Sequence, residues 1–259
     1  MDVLDAINKR ASVRVFAGEP LTQEETDILI DAALRAPSSG NLLHYSVVQV
    51  TSQEVKDALY DVCFKQPFIR NAPLVLVFNA DENRNSKWIE EYGGHFHFDG
   101  PCYLGKGFCD ALIAAQNVVL ASEGLGLGSV YVGSVLNKAR DVRRVLAYPR
   151  YVVPVVMLCV GRPKVRPKPR WRLPARAILH VEKYQDFSKD EIRQVYQGAE
   201  ADWQAENPGG VTGRNGLHAS SYSEYRTLVH YNEVYCRQAD VEFREAARDA
   251  GFVIETKGP

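Results

Sequence analysis

Residues Gly105–Gly133 read GKGFCDALIAAQNVVLASEGLGLGSVYVG, a helix, a glycine turn and a strand in succession. From Asp110 to Glu123 apolar residues recur at helical spacing, and Ile113, Ala114, Leu120 and Ala121 fill the opposite side as well. A helix apolar on nearly every side belongs in the centre of a core or in an interface between subunits, and this one is too short and too interrupted to span a membrane. Gly124, Gly126 and Gly128 then end it in a turn where positive φ and close backbone approach carry little steric cost. Two readings are open there: a ligand lying against the turn, or glycines that cap the helix and lead into a strand over Ser129–Val132. A dinucleotide fingerprint is excluded, because the glycines follow a helix and no G-x-G-x-x-G runs through them.

The 259 residues suffice for one large domain with or without an appendage. Lys and Arg total 31 against 32 Asp and Glu, so bulk attraction to nucleic acid or to an anionic membrane is not expected, and any anion site must be local. The start, MDVLDAINKR, has neither a basic n-region nor a long apolar run, which points to a cytoplasmic address without signal peptide or anchor. Cys63, Cys102, Cys109, Cys159 and Cys236 contain no C-x-x-C, so buried free thiols are expected in place of disulfides or a cluster. His95, His97, Cys102 and Cys109 are competent zinc ligands at a spacing that fits no zinc module, and no metal is expected.

Val3, Leu4 and Ile7 predict a short first helix, after which Arg10, Ser12 and Arg14 alternate on one side of an extended segment. Two guanidiniums around a hydroxyl suit a phosphate or other oxyanion. A capping box at Thr22 and Glu25 opens a helix that stops before Pro37 and delivers the chain into Ser38, Ser39, Gly40 and Asn41. Their hydroxyls and amide can both donate to and accept from a polar ring system. Strands are predicted at Tyr45–Val50, Leu74–Phe78 and Val152–Val160, the last with Pro154 marking an edge or a bulge. Helices are predicted at Ser52–Cys63 and, capped by Asn137, at Asn137–Leu146. Short connections between strands point to a mixed sheet flanked by helices. The segment from Asp81 to Gly105 is read as an irregular aromatic loop.

Arg162, Lys164, Arg166, Lys168, Arg170, Arg172 and Arg176, interleaved with prolines, make an extended basic arm. In a chain of nearly zero net charge, one phosphate shared with Arg10 and Arg14 accounts for it better than nucleic acid does. Past Tyr184 the composition changes. Ser188 with Glu191 makes a second capping box, and Ser221 with Glu224 opens a longer helix reaching toward Ala250. The organisation expected is therefore a main domain over 1–184 and a helical extension over 185–259.

Taken together, NKRASVRVF, APSSGN, DALIAAQNVVLASEGLGLGSVYVG, VVPVVMLCVGRP and RWRLP resemble, in order and spacing, the nitroreductase family of FMN-dependent NAD(P)H oxidoreductases. The resemblance covers residues 1–184. It implies an α+β fold in an intertwined homodimer holding FMN at the subunit interface, with NADH or NADPH as reductant and a nitroaromatic, quinone or similar small molecule as acceptor. It further implies that Arg10, Ser12 and Arg14 meet the flavin's phosphate and pyrimidine edge, and that Ser38, Ser39 and Asn41 reach the flavin from the partner subunit. Tyr131, Val132 and Gly133 would lie by the ring system, and Arg170 and Arg172 at the phosphate. Leu43-His44-Tyr45 stands where many members carry Gln-Pro-Trp, and Gln185–Pro259 has no counterpart in compact members. A reductive dehalogenase, a ring oxidase or a flavin-cleaving enzyme of the same fold is the alternative activity, and a non-enzymatic flavin-binding protein is the alternative outside enzymology.

Overall fold

The computed structural model describes residues 2–213 and 215–254. In chain order the first part runs α1 (Val3–Lys9), α2 (Gln23–Leu34), β1 (Tyr45–Val50), α3 (Gln53–Val62), α4 (Pro67–Asn71), β2 (Leu74–Asp81), α5 (Asn83–Glu91), α6 (Pro101–Gly124), β3 (Gly128–Val132), α7 (Ser134–Asn137), α8 (Ala139–Val145) and β4 (Val152–Gly161). There follow α9 (Lys189–Glu206), the two-residue strands β5 (Val211–Thr212) and β6 (His218–Ala219), α10 (Tyr222–Glu224), a π-helical turn over Tyr225–His230, and α11 (Glu233–Asp249).

The main sheet has the order β1-β2-β4-β3. Its strand pairs are all antiparallel, which corrects the mixed sheet expected from the short connections. Link length does not decide direction here, since the antiparallel pairs β1–β2 and β3–β4 are joined through helices, α3 and α4 in one case and α7 and α8 in the other; among the described residues the parallel contact is a single bridge from Ser12 to Ser129. β2 and β4 are buried along their whole lengths because both faces of the sheet are covered. One face packs on α2, α6 and the end of α11 through Leu29, Ala114, Val118, Leu76, Phe78, Leu158 and Ala247. The other packs on α3, α4, α7 and α8 through Leu59, Ile69, Val75, Val77, Val135, Val142 and Met157. The fold is a three-layer α+β arrangement, as expected.

β4 lies inside the sheet by strand order, yet the reading of Pro154 survives. The ladder to β2 slips between Phe78 and Asn79, so that Phe78 faces Val156 and Asn79 faces Pro154. β3 pairs with β4 only from Met157 onward, which leaves the proline, with no N–H to donate, on a strand that is locally an edge.

α6 begins at Pro101, so the segment expected to be irregular up to Gly105 already belongs to it, and α5 supplies a further helix there. Its glycines obscure the pattern for a packing reason. A β-carbon on Gly107 would stand 2.7 Å from that of Ala80 and 2.8 Å from the His44 carbonyl oxygen, so only glycine lets the helix lie this close to β2. By length and composition this helix could cross a membrane. Here Ala111, Ala114, Ala115, Val118 and Val119 are buried against the sheet and α2, while Leu112 and Ile113 are exposed. The helix is thus buried in the core on one side and keeps an outward apolar face at Leu112 and Ile113.

Two further helix boundaries differ from expectation. The chain breaks at Lys138 between α7 and α8, so Asn137 ends one helix and does not cap the next. Ser221 accepts from the Glu224 amide, but the Glu224 carboxylate turns to the Ser220 N–H, and the helix gives way to the π turn after three residues. The boxes at Thr22–Glu25 and Ser188–Glu191 form in full. Of the cysteines, Cys63 and Cys159 are buried, whereas Cys102, Cys109 and Cys236 are exposed, contrary to the expectation of buried thiols.

The chain forms two compact units, one of residues through Pro169 with those from Ala239 onward, the other Arg170–Gln238. The division expected at 184/185 followed composition; contacts divide the chain elsewhere. From Ala239 the alanines of α11 enter the first unit's core at Ala246, Ala247 and Ala250, with Phe252 behind them. The second unit is held by α9, whose Val195, Ala199 and Trp203 form its buried stripe, and by Glu200, which accepts from the Tyr222 and Ser223 amides at 2.7 and 3.0 Å. Ile192 and Tyr196 remain about two-fifths exposed on that helix.

Candidate functional site

The segment after α1 behaves as its alternation predicts. Ala11 and Val13 are buried, and Arg10, Ser12 and Arg14 take the other side. The Val13 N–H donates to the Ser129 carbonyl at 2.9 Å, laying this segment along β3. A β-carbon on Gly128 would fall 2.4 Å from a Val13 methyl, so this glycine of the GLGLG turn is there for packing. Ser12 is thereby set beside Ser129, and the Arg10 charge acts on Tyr131. Burial pushes the Tyr131 phenol up to about 12, with the Arg10 charge pulling the other way, and its hydroxyl donates to Gln116 Oε1 of α6 at 3.1 Å. Val132 is buried and Gly133 is exposed, with nothing within 4 Å of where its β-carbon would stand.

The glycine turn itself is filled from within the chain. Arg166 pairs with Glu123, the last acidic residue of α6, and donates to the Gly126 and Leu127 carbonyls at 3.2 and 2.9 Å. Glu123 is buried and its Oε1 has no hydrogen-bond partner, so Arg166 answers only one of its oxygens. The capping reading therefore holds for this turn. Arg162 is likewise engaged, with Glu19 and Glu25. The basic arm is not one functional strip, because its first arginines secure it to the body.

Ser38, Ser39 and Asn41 form a separate loop held at α6. Ser39 N–H and His44 N–H both donate to the buried Asp110, at 3.1 Å to one oxygen each. Asp110 and Gln116 are six residues apart on α6, about 9 Å along the helix and roughly a third of a turn apart around it. The loop and the Tyr131 group thus address different sides of one helix. Arg170 and Arg172 belong to the second unit and are exposed, Arg172 donating to the carbonyls of Arg170 and Trp171. Within the first unit the structure brings the Arg10–Ser12 segment to β3, while the serine loop is held at Asp110 of α6.

Behind the loop lies a buried polar group that motif reading missed. His44 Nδ1 is 2.6 Å from Glu82 Oε1, and Asn85 donates to Glu82 Oε2 at 2.9 Å. Burial pushes the Glu82 carboxyl up, while Asn85 and His44 oppose it. The signal available was chemical, a lone Asp110 in an apolar helix and a histidine at the head of a strand. Of the zinc-competent residues, His95 and His97 have ring centroids 6.4 Å apart, and among the described residues no three such groups converge on a metal position.

Residues 7–162 match the Nitroreductase family, and the chain belongs to that family. It is 30% identical over 240 residues to the NADPH-flavin oxidoreductase of Vibrio harveyi, covering 88% of this chain and 98% of that protein. It is 30% identical over 260 residues to the FMN reductase [NAD(P)H] of Bacillus subtilis, covering 98% of this chain and 99% of that protein. The structure of NfrA2 from B. megaterium superposes with a TM-score of 0.82 at 30% identity, covering 99% of this chain and all of that one. Such coverage takes in the part beyond residue 184, which therefore has counterparts in these longer relatives although compact members lack it.

The residues present fit FMN. Arginine and serine donors suit its phosphate and carbonyl edge, and the open backbone at Gly133 lets a planar ring approach the end of β3.

Proposed function

We propose that this FMN-dependent NAD(P)H oxidoreductase passes electrons to a nitroaromatic, a quinone or a similar small acceptor, at a site completed by a second copy of the chain. FMN, when bound, would supply the redox chemistry between the nicotinamide and the acceptor. Arg10, Ser12 and Arg14 bind its phosphate and pyrimidine edge, and Tyr131, Val132 and Gly133 line the ring. Ser38, Ser39 and Asn41 close on the ring from the partner, and Arg170 and Arg172 bind the phosphate. The observation that carries this assignment is the bridge from Ser12 to Ser129, which lays the Arg10–Arg14 segment along β3 with the Arg10 charge acting on Tyr131, on a strand whose far end is open at Gly133.

Pairing with a second copy is supported by apolar surface that this chain does not cover. Val3, Leu4 and Ile7 on α1 are 61%, 66% and 52% exposed, and α1 lies against α6, where Leu112 and Ile113 are also exposed. Exposed apolar side chains on two helices in contact are surface that a second copy would cover. The test is the visible spectrum of the purified protein followed by anaerobic bleaching with NADH and with NADPH, and sedimentation of the flavin-loaded form. A colourless protein that takes up no FMN refutes the reading, and a flavin-loaded monomer at micromolar concentration refutes the shared site.

A further inference from the structure

The loop Ser38–Leu43 carries three residues at positive φ, of which Gly40 and Asn41 are suited to that conformation and Leu43 is not. Gly40, Asn41 and Leu43 have φ of 58°, 56° and 51°, and for the last this is the left-handed region that a side chain makes costly. Leucine has no side-chain hydrogen bond to offset that strain, so the surroundings must impose the conformation. They do so from two sides. The Asp110 carboxylate accepts from Ser39 N–H and His44 N–H, one oxygen to each end of the loop, both at 3.1 Å. From the other side the Arg84 guanidinium donates to the carbonyls of Leu42, Leu43 and Tyr45. Between them the Ser38 hydroxyl accepts from the Leu43 N–H at 3.2 Å, closing the loop on itself.

The two holders are fixed in turn. Asp110 is 2% exposed in the middle of α6. Arg84 opens α5, whose first turn also carries Asn85, and Asn85 holds the Glu82 carboxylate that meets the His44 ring. His44 and Glu82 are each 1% exposed, so the base of the loop rests on a hydrogen-bonded pair inside the core. A carboxylate on the N–H groups and a guanidinium on the carbonyls thus address opposite ends of the peptide dipoles of one short segment. Charged partners make the stronger class of hydrogen bond to backbone groups.

We propose that Asp110 and Arg84 are positioning residues for cofactor binding: they clamp the Ser38–Asn41 loop in the bent form that presents its hydroxyls and amide to the flavin ring. The inference rests on the assignment of that loop to FMN made above. It makes the clamp act on the ring and not on the phosphate, and this separates it from the arginines.

The experiment titrates apo wild type, D110N and R84A with FMN and with riboflavin, well below each unfolding midpoint, and records the visible circular dichroism of the bound flavin. D110N keeps the side chain's shape but turns an amide group toward one of the two N–H donors. It is expected to weaken both flavins by the same factor, about tenfold or more, with an altered dichroism band from the bound ring. R84A alters an exposed side chain without opening the core and is expected to weaken both by roughly threefold. If D110N does not fold, R84A decides. Unchanged affinity for both flavins in the folded variants, with wild type binding normally, overturns the clamp alone. Loss of FMN affinity with riboflavin unaffected also overturns it, since that pattern belongs to a phosphate contact. Wild-type protein that takes up neither flavin overturns the cofactor assignment itself and the clamp's role with it.

Discussion

Arg166 and Arg172 stand six residues apart in one proline-spaced basic run, and their surroundings are opposite. Arg166 meets a carboxylate whose side chain is fully buried and two carbonyls of the glycine turn. Arg172 is exposed and donates to carbonyls of its own immediate neighbours. Charge density along a sequence therefore says little about which cations are available to a ligand. Availability depends on what the fold has already placed beside each one.

Removing each arginine in turn is the most direct way to break this comparison. Arg166→Ala leaves Glu123 buried without its cation and should cost about 3 kcal/mol, roughly 6 to 12 °C in melting temperature, while FMN affinity changes by less than about threefold. Calorimetry with a parallel flavin titration checks both halves, and a stable variant with weakened FMN would reverse the assignment. Arg172→Ala should do the opposite. Its stability should stay within about 0.5 kcal/mol of wild type, and FMN should bind roughly 10- to 150-fold more weakly with riboflavin almost indifferent. An unchanged FMN constant would remove Arg172 from the site.

The same contrast between engaged and open groups shows in titration. Burial pushes the Cys63 thiol up to about 11, well above its ordinary value, and Cys159 shifts in the same direction. An acid whose folded value is raised holds its proton longer in the native state. Its contribution is therefore intact below pH 9 and is lost as pH rises toward 11. Urea unfolding should show about 2 kcal/mol of lost stability across that window from Cys63, and Cys63→Ala should flatten the slope by that amount. An identical slope in the variant would mean that the thiol is not the source.

Glycines give the smallest and finest version of the comparison. Gly107 in α6 has no room for a methyl group, and Gly107→Ala should destabilise by about 1 to 2 kcal/mol, net of better helix propensity. Gly198 in α9 has nothing within 4 Å of its missing β-carbon, and Gly198→Ala should stabilise by about 0.5 to 1 kcal/mol. Equal effects at both positions, read from denaturant midpoints, would erase the distinction.

What could be read from the chain alone follows from range. Regular elements were legible where local pattern decides them: the full capping boxes at Thr22 and Ser188, the strand at Tyr45, and the irregularity at Pro154 all lie within a few residues of their cause. Arg10, Ser12 and the Tyr131 segment were legible as motifs, and the bridge from Ser12 to Ser129 brings them together. The Asp110 clamp was not, because it joins positions 66 and 71 residues apart. Nor was the pairing of Arg166 with Glu123, 43 residues away, which no local pattern separates from the other arginines of the run. The start of α6 was hidden because Gly105 and Gly107 look like helix breakers, and the close approach of Gly107 to β2 is not visible until the sheet is known.

The proline in β4 has a consequence for how the protein behaves before it is folded. VVPVVMLCVG is a ten-residue apolar strand, the kind of segment that pairs with copies of itself when its backbone is bare. In the native sheet β3 covers only its second half, so Val152–Val156 presents one unladdered side. Three features make that side a poor template: Pro154 has no N–H to offer, the slip opposite Asn79 breaks the ladder's spacing, and the Arg143 guanidinium donates to the Val152 and Pro149 carbonyls. Of the three only the missing N–H of Pro154 is already present in the unfolded chain, where it interrupts the ladder that this apolar segment would otherwise build with copies of itself.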